Sequence, residues 1–152
     1  MNPNLPVAGI MTRHVVTISP GVCISQVHDV FQNNTFHHLL VMEHDKVVGV
    51  ISKSDYYQVR HMLSVSWGGE IRVQEWFADL CVSDIMTKKP VCIESSDTIG
   101  LAADIFMVNR FHCLPVVDDG ELKGVVTSHD LLAYAYQNPI DFIDEFVTTS
   151  GN

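Results

Sequence analysis

Apolar and polar positions along this chain run through one order of periods and then through the same order again. The first stretch predicts a helical turn at Val7, Ala8, Gly9, Ile10 and Met11, then an apolar strand over 15–18. Ser19-Pro20-Gly21 supplies turn chemistry before a helix that places Ile24, Val27, Val30 and Phe31 on one face. A strand over 38–42, a tight turn and a strand over 47–52 come next, and a closing helix covers about 55–62. The second stretch predicts a strand over 91–93 and a helix with Ile99, Ala102, Ile105 and Phe106 on one face. Strands over 113–117 and 122–127 follow, joined at the Asp118-Asp119-Gly120 hairpin signal, and a helix covers about 130–136.

The two stretches align without a gap at an offset of 75 residues, with seventeen identities in 51 positions between 7–57 and 82–132. Ile10-Met11-Thr12 falls on Ile85-Met86-Thr87, Phe36-His37 on Phe111-His112, and Gly49, Val50 and Asp55 on Gly124, Val125 and Asp130. This is an internal repeat of a β-α-β-β-α unit preceded by a helical turn. One unit of this size cannot bury both faces of its sheet, so two units are expected to pack face to face. The predicted organisation is a first repeat over 1–63, a packed linker over 64–80, a second repeat over 81–137 and a tail over 138–152. Trp67, Trp76, Phe77 and Ile71 mark the linker as packed, and Ile140, Phe142, Ile143 and Phe146 are compatible with a short amphipathic helix in the tail.

Composition narrows the classes of function. Apolar residues at 47% and charged residues at 18% suit a folded core. Nine Lys plus Arg against eighteen Asp plus Glu give a formal charge of −9, which argues against nucleic acid and anionic membranes as general partners. Cys23, Cys81, Cys92 and Cys113 show no CxxC spacing and are expected as free, mostly buried thiols. No apolar run reaches the roughly 20 residues of a membrane span, and the first residues lack the features of a signal peptide, so a cytoplasmic location is expected.

Each repeat ends its last strand on a hydroxyl residue, with a carboxylate three positions later: Ser52 with Asp55, and Thr127 with Asp130. The spacing has two readings. It is a capping box that stabilises a helix start with no ligand, and it is also a hydroxyl and helix N-terminus placed to meet an anion.

Ile-Met-Thr opening each repeat, Leu114-Pro115-Val116-Val117 in the middle strand and Gly-h-h-Ser/Thr-x-x-Asp at the close, in this order twice, resemble the CBS domain in its tandem arrangement. The first repeat departs from the pattern by having Leu40 where the second has Pro115. The resemblance implies an α/β (α+β) module of two repeats packed with pseudo-two-fold symmetry, and ligand binding in the clefts between them. The implied ligands are adenosine compounds, namely AMP, ADP, ATP or S-adenosylmethionine, with no cofactor required. By the same resemblance, Asp55 and Asp130 meet the ribose, and Ser52 and Thr127 meet phosphate. His37, His38, Arg110 and His112 are implied as further phosphate contacts, and Val15, Val16, Val91 and Cys92 as the wall for the base. A homodimer and a regulated protein partner are implied as well.

Competing chemistry is weaker. Of the eight histidines only His37-His38 are adjacent, and no H-x3-H or C-x2-C spacing accompanies them, so no metal site is expected. Cys92 and Cys113 fall in predicted strands and read as inert core thiols. With no nucleophile triad or P-loop, the chain is expected not to be an enzyme. The rival readings are an interaction module without a physiological nucleotide, and an S-adenosylmethionine binder.

Overall fold

The computed structural model describes residues 2–66 and 79–137. Most of the predicted linker 64–80 and the whole tail 138–152, with its amphipathic segment 139–146, lie outside the described residues.

A 3-10 turn at Val7–Gly9 leads to β1 (Thr17–Ile18), α1 (Ile24–Gln32), the hairpin β2 (His38–Glu43) and β3 (Lys46–Ser52), and then α2 (Lys53–Ser66). The second repeat gives α3 (Val82–Ile85), β4 (Thr87–Lys88), α4 (Ile99–Val108), the hairpin β5 (Cys113–Asp118) and β6 (Glu121–Thr127), and α5 (Ser128–Gln137). Both hairpins close on two residues with positive φ, His44 and Asp45 in the first and Asp119 and Gly120 in the second. That conformation matches the right-handed twist of the flanking strands. Both also carry an irregularity at matching places, between Val41 and Met42 and between Val116 and Val117. Asn34 and Asn109 finish the equivalent helices alike, each amide donating to the carbonyl four residues back, Val30 at 2.8 Å and Ile105 at 2.7 Å. Their identity in the repeat therefore has a local, structural cause.

The first sheet has the order β1-β2-β3-β4, with β1 parallel to β2 and the other pairs antiparallel. Its β4 comes from the second repeat: Lys88 pairs with Gly49 and Thr87 with Val50. The reciprocal pairing joins Thr12 of the first repeat to Val125 of β6. Each leading segment thus docks on the other repeat's sheet. The cores show the same exchange. Val82 is buried with Ile24, Val27, Phe31, Leu39, Val41, Ile51 and Tyr56, whereas Val7 and Met11 are buried with Ile93, Ile99, Phe106, Leu114, Val116 and Val126. Between the sheets Leu40 and Val50 meet Cys113, with Leu122 and Val125 packed against them. Face-to-face packing of the two repeats is therefore present, and the exchanged segments tie it together.

Four predicted elements differ markedly in extent. The strand expected at 15–18 is reduced to β1, leaving Val15 and Val16 ahead of it. The strand expected at 91–93 is a single bridge between Ile93 and Val116; Pro90 just before it removes a backbone donor, and Cys92 is exposed instead of buried in a strand. The closing helices begin earlier than expected because Ser52 and Thr127 stand at the cap, so helix starts immediately after them.

Candidate functional site

The end of each hairpin is held in the same way. The Lys53 amide donates to the His37 carbonyl at 2.7 Å, and the Ser128 amide to the His112 carbonyl at 3.2 Å. Each final helix therefore starts against the residues that enter its middle strand. At the first helix start the Ser52 hydroxyl donates to Asp55 Oδ2 at 2.6 Å and accepts from the Asp55 amide at 2.9 Å. At the second, the Thr127 hydroxyl donates to Asp130 Oδ2 at 2.7 Å and accepts from the Asp130 amide at 3.2 Å, while the Thr127 amide reaches Asp130 Oδ2 at 2.8 Å. The capping reading is thus realised in both repeats. All of these bonds to the carboxylates fall on Oδ2, and capping and ligand contact are compatible roles for one side chain.

A cavity of about 730 Å³ opens at the first of these helix starts. The first repeat contributes His37, His38, Ser52, Lys53, Ser54 and Asp55 to its walls. The second contributes Val91, Arg110, Phe111, His112 and Cys113, together with Thr87, Lys89 and Pro90 from the exchanged segment. The exchange of leading segments is what brings Lys89 and Val91 opposite Asp55.

Electrostatically the cavity is unlike the rest of the chain. Lys53, Lys89 and Arg110 line it with three imidazoles and one carboxylate, in a protein of formal charge −9. Lys89 and Arg110 are exposed at its rim, and among the described residues neither is ion-paired. The Lys53 ammonium lies 3.2 Å from the Phe31 carbonyl. His38 sits deeper; burial, and then the neighbouring His37 and His112, lower its pKa below the ordinary imidazole value, with Asp55 opposing. Burial, reinforced by the charge of Asp130, pushes the Cys113 thiol up to about 12, so it lines the cavity as a neutral, unreactive group. Among the described residues no three His, Cys, Asp or Glu side chains are grouped to hold a metal ion, and no helix is long and apolar enough to cross a membrane.

Of the residues singled out in the sequence, Asp55, Ser52, His37, His38, Arg110, His112 and Val91 are brought together here. Asp130 and Thr127 form the equivalent cap in the second repeat and do not line this cavity, nor do Val15 and Val16. Cys92 does not line it either; its thiol lies 3.5 Å from the Pro90 carbonyl. Lys89 and Thr87 were missed by sequence reasoning. They sit in the leading segment, whose docking on the opposite repeat gives no signal in the sequence.

The model of the CBS domain matches residues 7–61 and again 82–136. Protein MJ1225 of Methanocaldococcus jannaschii is 27% identical over 131 residues, which cover 82% of this chain and 45% of that protein. Its crystal structure, proposed as that of an archaeal homologue of g-AMPK, superposes with a TM-score of 0.74 at 25% identity, covering 88% of this chain and 49% of that one. The inosine-5'-monophosphate dehydrogenase of Korarchaeum cryptofilum is 28% identical over 134 residues, 88% of this chain and 25% of that protein. The chain therefore spans less than half the length of these curated relatives. The crystal structure of CBSX2 in complex with AMP superposes with a TM-score of 0.66 at 26% identity, covering 88% of this chain and 98% of that one.

Proposed function

The chain belongs to the CBS-domain family, and on that premise we propose that it is a regulatory module whose Asp55 cleft binds an adenine nucleotide bearing phosphate. The observation that carries this reading is the wall of the cleft: Lys53, Lys89 and Arg110 gather beside a helix N-terminus in an otherwise acidic protein. Such a site favours a polyanion. Asp55, through the oxygen its cap does not use, would accept from the ribose hydroxyls. Val91 and the apolar faces of Pro90 and Val50 offer a surface for the base. The complex of CBSX2 with AMP supports adenosine as the nucleoside.

The pseudo-equivalent positions around Asp130 carry less charge. The offset of 75 places Ser128 where Lys53 stands, His14 where Lys89 stands and Thr35 where Arg110 stands. ADP and ATP are thus assigned to the Asp55 cleft. S-adenosylmethionine, cationic at sulfur, is disfavoured there by the three cations. Because walls from both repeats line the cleft, a ligand would act by favouring one arrangement of the repeats over another, to the extent of its differential affinity for the two. A homodimer, a regulated protein partner and a cytoplasmic location complete the proposal. Residues for pairing are available on α4 and α5, where Met107, Val108, Leu132 and Tyr136 are exposed.

A thermal-shift panel of AMP, ADP, ATP, NAD and S-adenosylmethionine tests it. A ligand at about 100 times its dissociation constant adds roughly 2.7 kcal/mol, a visible rise for a chain of this size. A rise with AMP, ADP or ATP that is lost in Asp55→Ala supports the reading. A flat panel overturns it in favour of an interaction module, and a rise with S-adenosylmethionine alone overturns the phosphate assignment.

A further inference from the structure

Cys23 and Cys81 face each other as an antiparallel bridge between the first repeat and the exchanged segment of the second. The Ile24 amide donates to the Leu80 carbonyl at 2.9 Å, and the Val82 amide to the Val22 carbonyl at 2.9 Å. These bonds lie on either side of the cysteines and make them a non-hydrogen-bonded pair. In that register opposing Cα atoms come to about 4.5 Å and the two side chains leave the same face. A disulfide spans Cα separations of about 4.4–6.8 Å, so the backbone already stands within its range.

The geometry belongs to the fold, and its counterpart 75 residues away is chemically different. There Pro6 bridges Thr98, flanked by the Val7 amide on the Asp97 carbonyl at 2.7 Å and the Ile99 amide on the Leu5 carbonyl at 2.9 Å. Only one of the two equivalent crossings therefore carries thiols. Both cysteines are half-buried free thiols, within reach of a small reagent. Cys113, by contrast, is buried and its thiol stays protonated.

We propose that Cys23 and Cys81 form a reversible disulfide that clamps the leading segment of the second repeat onto the first. The oxidant is a low-molecular-weight disulfide, R–S–S–R. One cysteine thiolate attacks it, expelling one R–SH and leaving a mixed disulfide; the other thiolate then displaces the second R–SH. Two protons and two electrons pass to the oxidant as one S–S bond is exchanged for another. The clamp joins the N-termini of α1 and α3, and the chain continues from α3 into Thr87, Lys89 and Val91 of the cavity wall. Oxidation therefore fixes that wall to the first repeat whatever ligand the cleft takes.

The test is to incubate the folded full-length chain with oxidised glutathione, digest it without reduction and map the peptides by mass spectrometry. Each cysteine falls in a different tryptic peptide, Cys23 in 14–46 and Cys81 in 73–88. The expected product is about 2 Da lighter than the reduced chain, links those two peptides and melts roughly 5–10 °C higher until dithiothreitol is added. Cys23→Ser and Cys81→Ser each abolish the link and the rise, whereas the Cys92→Ser/Cys113→Ser double variant keeps both. Persistent glutathione adducts on Cys23 or Cys81, a link through Cys92 or Cys113, or an unchanged mass overturns the proposal. The wild-type peptide map decides the matter even where a serine variant folds poorly.

Discussion

Gly124 lies against the carbonyl oxygen of Thr12, so close that a Cβ at position 124 would stand 2.7 Å from that oxygen. Gly49 is placed alike in the other sheet, where a Cβ would overlap the Met86 thioether and crowd the Thr87 carbonyl. The glycine that opens each Gly-h-h-Ser/Thr-x-x-Asp motif is therefore the crossing point for the Ile-Met-Thr motif of the opposite repeat. The two motifs recur together because each glycine makes room for the other repeat's leading segment.

Gly124→Ala is accordingly expected to destabilise the fold by about 1–3 kcal/mol, since the obstruction is backbone with little room to yield. Gly49→Ala should cost less, because the Met86 side chain can move aside. Urea denaturation of the two variants checks this order. A Gly124→Ala protein as stable as wild type would show that the exchanged segment is not held at Thr12.

The exchange explains where sequence reasoning stopped. A gapless offset of 75 residues is the same whether Val7 packs on its own repeat or on the other, so the repeat could reveal two units and their face-to-face packing but not the crossing. The hairpins and the helix faces depend on neighbours close in the chain and were legible. Lys89 depends on which sheet its segment joins and was not. The sequence even leaned towards Asp130, because Leu40 in place of Pro115 marks the first repeat as the one that departs from the motif. The lysines and arginine that separate the surroundings of Asp55 and Asp130 come from three separate segments of the chain.

Asp55→Ala and Asp130→Ala are expected to separate capping from binding. Each removes the carboxylate of a cap and should cost about 0.5–2 kcal/mol of stability. Only Asp55→Ala should abolish nucleotide binding in the cleft that contains Arg110. Isothermal titration alongside thermal melts distinguishes the two effects, and equal loss of binding in both variants would refute the assignment to the Asp55 cleft.

Lys89→Ala and Arg110→Ala should weaken ATP binding by roughly 10- to 100-fold each, the usual range for losing a hydrogen bond to a charged group. Adenosine, lacking phosphate, should lose little. Rising salt should reduce the difference between wild type and variant, because both side chains stand exposed at the rim. Titrations of ATP and adenosine at two salt concentrations measure it, and an equal loss for both ligands would mean the two cations do not meet phosphate.

His38 provides a test that depends on pH. Its pKa in the folded state lies below the ordinary 6.5, chiefly through burial and then through His37 and His112. Well above pH 6.5 the ring is neutral in both folded and unfolded chains and contributes no pH dependence. As the pH falls below that value the unfolded chain takes up the proton first, so stability is lost down to the folded pKa. His38→Gln should flatten this loss below about pH 6.5 while leaving stability at pH 8 much less affected, as urea melts on either side of pH 6.5 will show. A bound polyphosphate has the opposite sign: its negative charge favours imidazolium, so nucleotide binding should take up protons in the same window and protect the folded state as the pH drops. Calorimetric titrations in buffers of different ionisation enthalpy would detect that uptake. Its absence, with binding otherwise intact, would place the phosphates away from His38.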